Sequence, residues 1–292
     1  MLANPTFPSP HRIRRAFAFT AATALAAGVG FLYAPVFARL AQQWWTDPNY
    51  SYGFFVPLFS AWLIWRRRSK LRALPLNPSN FGFLFVLGGL LMLVLGRLAA
   101  ELLLTRVSFL VVTAGIVVVL AGWSWLRAIA FPLAFLGFMI PLPTLVFNLA
   151  AMPLQAVATR TGVGLVAWTG LPILRQGNVI VLPGTVLDVV AECSGIRSLL
   201  ALLALGAAYG CLTEPEPWRR MALIAAMVPL AIVSNALRIA VTILLSFAVG
   251  SAASEGLWHL LTGLQVFVVA VLGLALLQRA LRGSEPRQVR HA

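Results

Sequence analysis

Three side chains in this sequence have the chemistry to break an acyl bond together: the thiol of Cys193, the guanidinium of Arg238 and the imidazole of His259. Cys193 sits in TVLDVVAECSGIRSLL (residues 185–200), between a β-branched run and a long apolar run. The thiolate is the reactive form of cysteine, and a helix N-terminus or a nearby cation favours it. Ser194 and Gly195 follow at the expected helix start, where unpaired backbone N–H groups point outward and can hold an oxyanion. His259 can pass a proton to a departing amine. Arg238 stays protonated, so its part is to stabilise negative charge.

Several neighbours are candidates for supporting roles. Arg197, four residues after Cys193 and so on the same helix face, is the alternative cation. Asp188 and Glu192 have the charge to orient His259 or to receive a basic substrate group. Asn235, one turn before Arg238, is a candidate hydrogen-bonding group for substrate. Each has a plainer reading. Cys193 as a small buried hydrophobe, Arg238 snorkelling to an interface, His259 as an interfacial partner of Trp258, and the carboxylates in an exposed loop all satisfy the same letters. Against the plain reading of Arg238, charge inside an apolar run is usually functional. Cys211 reads as a packing residue. If one helix joins it to Cys193, their 18-residue separation is roughly 27 Å. A disulfide needs Cα atoms within about 7 Å. Three histidines without paired spacing argue against a metal site, and no cofactor is expected.

The elements that must carry these residues are membrane spans. Of 292 residues, 60% are hydrophobic and 10% charged, and the mean hydropathy is +0.90. Apolar runs approach the roughly 20 residues needed to cross a bilayer. The net charge of +14 does not indicate a nucleic-acid partner, because the basic residues gather at the ends of apolar runs. The basic patch and apolar run at the start read as a retained first span, with no cleavage site before its end.

The expected fold is an all-α membrane protein of about eight transmembrane helices, one domain over residues 1–292. Residues 1–15 form a cytoplasmic tail and spans follow at about 16–36, 51–65, 80–96, 107–123, 128–141, 194–211, 221–249 and 257–279. Residues 280–292 form a second cytoplasmic tail. Residues 37–50 are expected as an outer loop with Trp44 and Trp45 at the interface, and Arg97, Glu101 and Arg106 as a short outer turn. Other Trp and Phe residues are taken as lipid-facing. Between residues 144 and 192 an amphipathic stretch interrupted by Gly and Pro reads as an interfacial helix. The β-branched runs that follow, separated by Gly and Pro-Gly, read as a small β-hairpin or meander on the outer face. This orientation assigns 15 of the 22 Lys and Arg residues to the inner side. Counting along the helices from Cys211, Arg220 and Arg279 brings Cys193, Arg238 and His259 each roughly 27–30 Å away, to one outer interface.

The segments AECSGIRSLL, SNALRIA and LWHLLTG, with the earlier SYGFFVPLFSAWLIWRRR, resemble the exosortases, multi-pass bacterial enzymes related to the archaeosortases. The similarity runs over roughly residues 45–275. It implies a Cys–Arg–His site with Cys193 as nucleophile, Arg238 as the arginine and His259 as the histidine. It also implies a cysteine peptidase/transpeptidase of the inner membrane, with its site facing the periplasm. The implied partners are PEP-CTERM-type substrate proteins, which carry a Pro-Glu-Pro motif, a transmembrane helix and a basic tail, within the lipid bilayer. The resemblance leaves the acceptor open. A transporter or exporter of a lipid-linked envelope precursor is the alternative; it accounts for the spans and Arg238 but not for a solitary thiol at a helix mouth.

Overall fold

A computed structural model describes residues 10–183, 185–188, 195–250 and 256–283. The elements in chain order are α1 (Pro10–Thr46), α2 (Phe55–Arg66), α3 (Arg68–Ala73), α4 (Gly82–Leu98), α5 (Leu102–Leu120), α6 (Trp123–Phe135) and α7 (Thr144–Ala167). They continue with β1 (Leu174–Gln176), β2 (Val179–Leu182), β3 (Thr185–Asp188), α8 (Ile196–Thr213), α9 (Pro217–Val249) and α10 (Gly256–Gly283). Contacts divide them into two units, with the boundary between Ala134 and Phe135.

Among the described residues, four helical segments are long and apolar enough to cross a bilayer: Thr23–Thr46, Leu102–Leu120, Pro217–Val249 and Leu260–Arg282. A fifth candidate is the pair Trp123–Met139 and Thr144–Ala167, broken where Pro141 and Pro143 interrupt the helix. Gly82–Leu98 and Ser198–Thr213 are apolar but shorter. Eight spans were expected, and four or five helices meet the length criterion.

In the first unit, α4 and α5 form a tight antiparallel pair. Gly82, Gly89 and Gly96 recur every seven residues and so fall on one helix face. A Cβ on Gly89 would stand 2.6 Å from Val112 and one on Gly96 2.7 Å from Thr105. Small residues let the two backbones approach where lipid supplies no hydrophobic drive. Two expectations change here. Residues 37–46 continue α1 and are not a loop. Trp44 is buried on Gly53 and meets Phe54 edge-on, with ring centroids 5.2 Å apart, whereas Trp45 is exposed. The turn between α4 and α5 is also shorter than expected: Glu101 caps α5 by accepting from the backbone N–H of Leu104 at 2.6 Å, and Arg106 lies inside α5, buried.

The second unit is built on α9. Against it α8 runs antiparallel, with Gly206 on Met227 and Gly210 on Arg220. Beside α8 packs α10, and Leu202 of α8, Leu223, Met227 and Ala231 of α9, and Val266, Ala270 and Leu274 of α10 form one core. Leu154 and Ala158 of α7 meet Ala231 and Asn235, and Gly162 meets Ala236 and Ile239, so α7 lies alongside α9 and runs parallel to it. This departs from a helix lying flat at the interface. The amphipathic pattern of α7 comes from a stripe of Ala158, Gly162 and Val166 buried within the unit. The strands form an antiparallel meander in the order β1-β2-β3, with Gln176 opposite Val179 across a two-residue turn at Gly177-Asn178. Gly177 has φ +64°, which a tight hairpin turn favours. Ile180 and Leu182 alternate inward onto Ile239, Ile243 and Val166, so one sheet face is dry.

At the end of α9 where Pro217 starts the helix, a buried polar network ties the α8–α9 connection to α10. Glu214 Oε1 accepts from Gln278 Nε2 at 2.7 Å and from Arg282 Nε at 2.9 Å. The Tyr209 hydroxyl donates to Gln278 Oε1. Burial pushes the Glu214 carboxyl up, but the bonds from Gln278 and Arg282 and the charges of Arg282 and Arg219 outweigh it and hold it below the usual carboxylate range. A depressed folded pKa contributes stability that is present above the unfolded value and lost as pH falls through the folded one. The thermal midpoint in detergent should therefore hold near neutral pH and drop in acid, below the ordinary glutamate pKa of about 4.3. Glu214→Gln should cost about 2–3 kcal/mol near neutral pH and flatten that acid dependence. An unchanged acid limb in the variant would count against the network.

Candidate active site

The site elements meet at the other end of the second unit, where α8 begins against α9. Gly195 is the residue before α8, with φ +81° and ψ −4°, a left-handed conformation that glycine adopts without strain. Its missing side chain is also a spatial requirement. A Cβ there would lie 2.8 Å from Asn235 Nδ2 and 2.9 Å from Asn235 Cγ. Asn235 is 1% exposed, and the crevice it shares with Gly195, Leu199 and Ala158 measures about 10 Å³. That is room for about one water at most, not for a peptide side chain. Among the described residues Asn235 is a strut under the α8 N-terminus.

Arg238 follows Asn235 by one turn on α9 and is half-buried. Its carbonyl accepts from Thr242 Oγ1 at 2.9 Å. It stands 21 residues from Pro217, roughly 32 Å along the helix, far from the Glu214 network. Arg197 lies in the first turn of α8, Asp188 ends β3 and His259 lies in the first turn of α10, all by backbone position. Cys193, Glu192 and Ser194 lie outside the described residues.

Gly273 packs on the Leu230 side chain, and Val266, Ala270 and Leu274 share a core with Leu223, Met227 and Ala231, so α10 runs antiparallel to α9 and its first turn, which carries His259, lies toward the half of α9 that carries Arg238. Thr262, buried between His259 and Gln265 in sequence, is a polar group of α10 that the sequence analysis did not single out. Its signal was a lone hydroxyl one turn from a candidate histidine.

Gly195→Ala tests this geometry by itself. The left-handed backbone costs a non-glycine residue roughly 1–2 kcal/mol, and contact with Asn235 adds to that. The variant should unfold at a lower temperature in detergent. A midpoint equal to that of the parent protein would mean that Gly195 is not held against Asn235.

A mostly helical chain with several membrane-crossing helices and one small sheet is a multi-pass membrane protein. Residues 44–276 match the family described as transmembrane exosortase, and the chain belongs to that family. Membership carries with it a bilayer setting, membrane-associated substrate proteins and a peptidase/transpeptidase kind of function. Comparison with curated proteins and with solved structures finds no match in either.

Proposed function

We propose that this chain is a cysteine peptidase/transpeptidase of the bacterial inner membrane that cuts C-terminal sorting signals of the PEP-CTERM type. The observation that carries this reading is the seating of Gly195 on Asn235, one turn from Arg238. Cys193 is two residues before Gly195, and two residues of chain reach at most about 7 Å. That nearness in sequence to Gly195 supports Cys193 as the nucleophile that works with Arg238.

In this mechanism the Cys193 thiolate attacks the backbone carbonyl near the substrate motif. Arg238 and the N–H groups at the start of α8 hold the oxyanion. The tetrahedral intermediate then expels the amine, to which His259 gives a proton, and leaves a thioester. An acceptor amine or hydroxyl, or water, attacks the thioester; His259 takes back a proton and the thiolate is restored. The chemistry of Arg238 and His259 separates their duties, the permanently charged guanidinium for the oxyanion and the titratable imidazole for the leaving nitrogen. Counting the broken pair α6–α7 as one crossing and including α2, α4 and α8 gives eight crossings. Both termini then lie on the cytoplasmic side by the basic-residue bias, and the site faces the periplasm.

The test is the intact mass of a trapped enzyme–substrate adduct, followed by peptide mapping. The expected result is the substrate's new carboxyl end joined to Cys193. An adduct on another residue, or cleavage with no covalent intermediate, would overturn the mechanism.

A further inference from the structure

The first unit holds a cavity that the proposed chemistry does not use. It measures about 370 Å³ and lies where α1 meets the turn between α4 and α5, lined by Arg39, Arg97, Arg106, Pro35 and Thr105. Three guanidinium groups face one space. Arg106 is only 4% exposed and donates to Gln43 Oε1 at 2.8 Å; Arg97 donates to the Leu32 carbonyl at 2.9 Å. These neutral oxygens hold the arms in place without cancelling their charge. Glu101 is the neighbouring carboxylate. Three cations against one anion leave two positive charges around the cavity. Like charges so placed repel unless an anion lies among them, and rigid guanidinium forks match phosphate oxygens.

A second cavity continues the same seam. About 320 Å³ in volume, it lies between α1 and α5 and is lined by Leu25, Val29, Gly30, Phe109, Thr113 and Leu120. The two are separated by a buried bridge, the Tyr33 hydroxyl and Ser108 Oγ 3.0 Å apart, with Phe37 and Tyr33 edge-on to Phe109. From Arg106 to Thr113 is seven residues, roughly 10 Å along α5. A cationic chamber beside a helix terminus, with an apolar slot deeper along the same helix pair, has the layout of a headgroup and its chain. Exposed Leu98 and Leu102 beside the chamber give it an apolar rim.

We propose that the α1–α5 seam binds a membrane lipid with a phosphate headgroup. The phosphate sits among Arg39, Arg97 and Arg106, and one hydrocarbon chain runs past the Tyr33–Ser108 bridge into the slot. Free phosphate would use the chamber but not the slot, and charge complementarity together with the apolar continuation favours the lipid.

The test uses the full chain in neutral detergent with three probes: dioctanoyl phosphatidic acid, dioctanoylglycerol and inorganic phosphate. The phosphatidic acid should bind at least about tenfold tighter than either of the others. Arg39→Gln with Arg97→Gln should weaken it by about tenfold or more, since each lost charged hydrogen bond is a substantial part of the affinity. Arg106 is left intact because it is buried. Gly30→Leu fills the slot at a glycine whose Cβ direction is open, and should weaken the lipid while leaving inorganic phosphate unchanged. Equal binding of phosphatidic acid and inorganic phosphate would overturn the lipid assignment. Equal binding of dioctanoylglycerol would overturn the role of the arginines, as would lipid affinity undiminished in the double variant. A Gly30→Leu variant with full lipid affinity would overturn the slot.

Discussion

Cys193→Ala should abolish cleavage of the sorting signal, a loss on the order of 10⁴-fold or more, while the protein remains in the membrane at normal abundance. The size follows from the thiol's role. Without it no acyl-enzyme forms, and the remaining donors can only polarise a carbonyl for slow attack by water. Cys193→Ser keeps an oxygen nucleophile of much higher pKa and should be nearly as inactive. The check is the ratio of processed to unprocessed substrate in cells that carry each variant, with Cys211→Ala as the control. Cys211 is half-buried on α8, two residues from the end of that helix, so its replacement should leave processing intact. Processing that survives Cys193→Ala would end the proposal of a cysteine enzyme, though not the family membership.

The second large effect is expected at Arg238. Arg238→Gln should lower kcat by about 10²–10³-fold, the usual loss when a donor to a developing oxyanion is removed. KM should change much less, because the interaction strengthens only as charge develops. Arg238→Lys should recover part of the rate, since a point charge replaces a fork. If Arg238 only anchors α9 at an interface, both variants should behave alike and should act on abundance before rate. Arg197→Gln is the parallel measurement; a larger loss there than at Arg238 would reassign the cation.

Much of the helical frame was legible because long apolar runs ending in arginine have few other solutions. The meander was legible from β-branched runs separated at Gly177-Asn178 and Pro183-Gly184. The path of α7 was not. A stripe of Ala158, Gly162 and Val166 suits a partner helix as well as a lipid surface, and composition does not choose between them. Arg39, Arg97 and Arg106 come from three helices, so no window of sequence brings them together. Asn235 drew notice for its nearness to Arg238. Its contact with Gly195 spans 40 residues and appears only once α8 is laid antiparallel on α9.

The Glu214 network has a consequence for the order in which the chain is made. Its two strongest donors, Gln278 and Arg282, lie 64 and 68 residues downstream of the carboxylate. While the ribosome is still translating α9, Glu214 has no α10 to receive it. The network therefore closes only once α10 has been made and packed against α9. A nascent protein cut short before α10 would leave Glu214 with Arg219 as its remaining charged partner in this network.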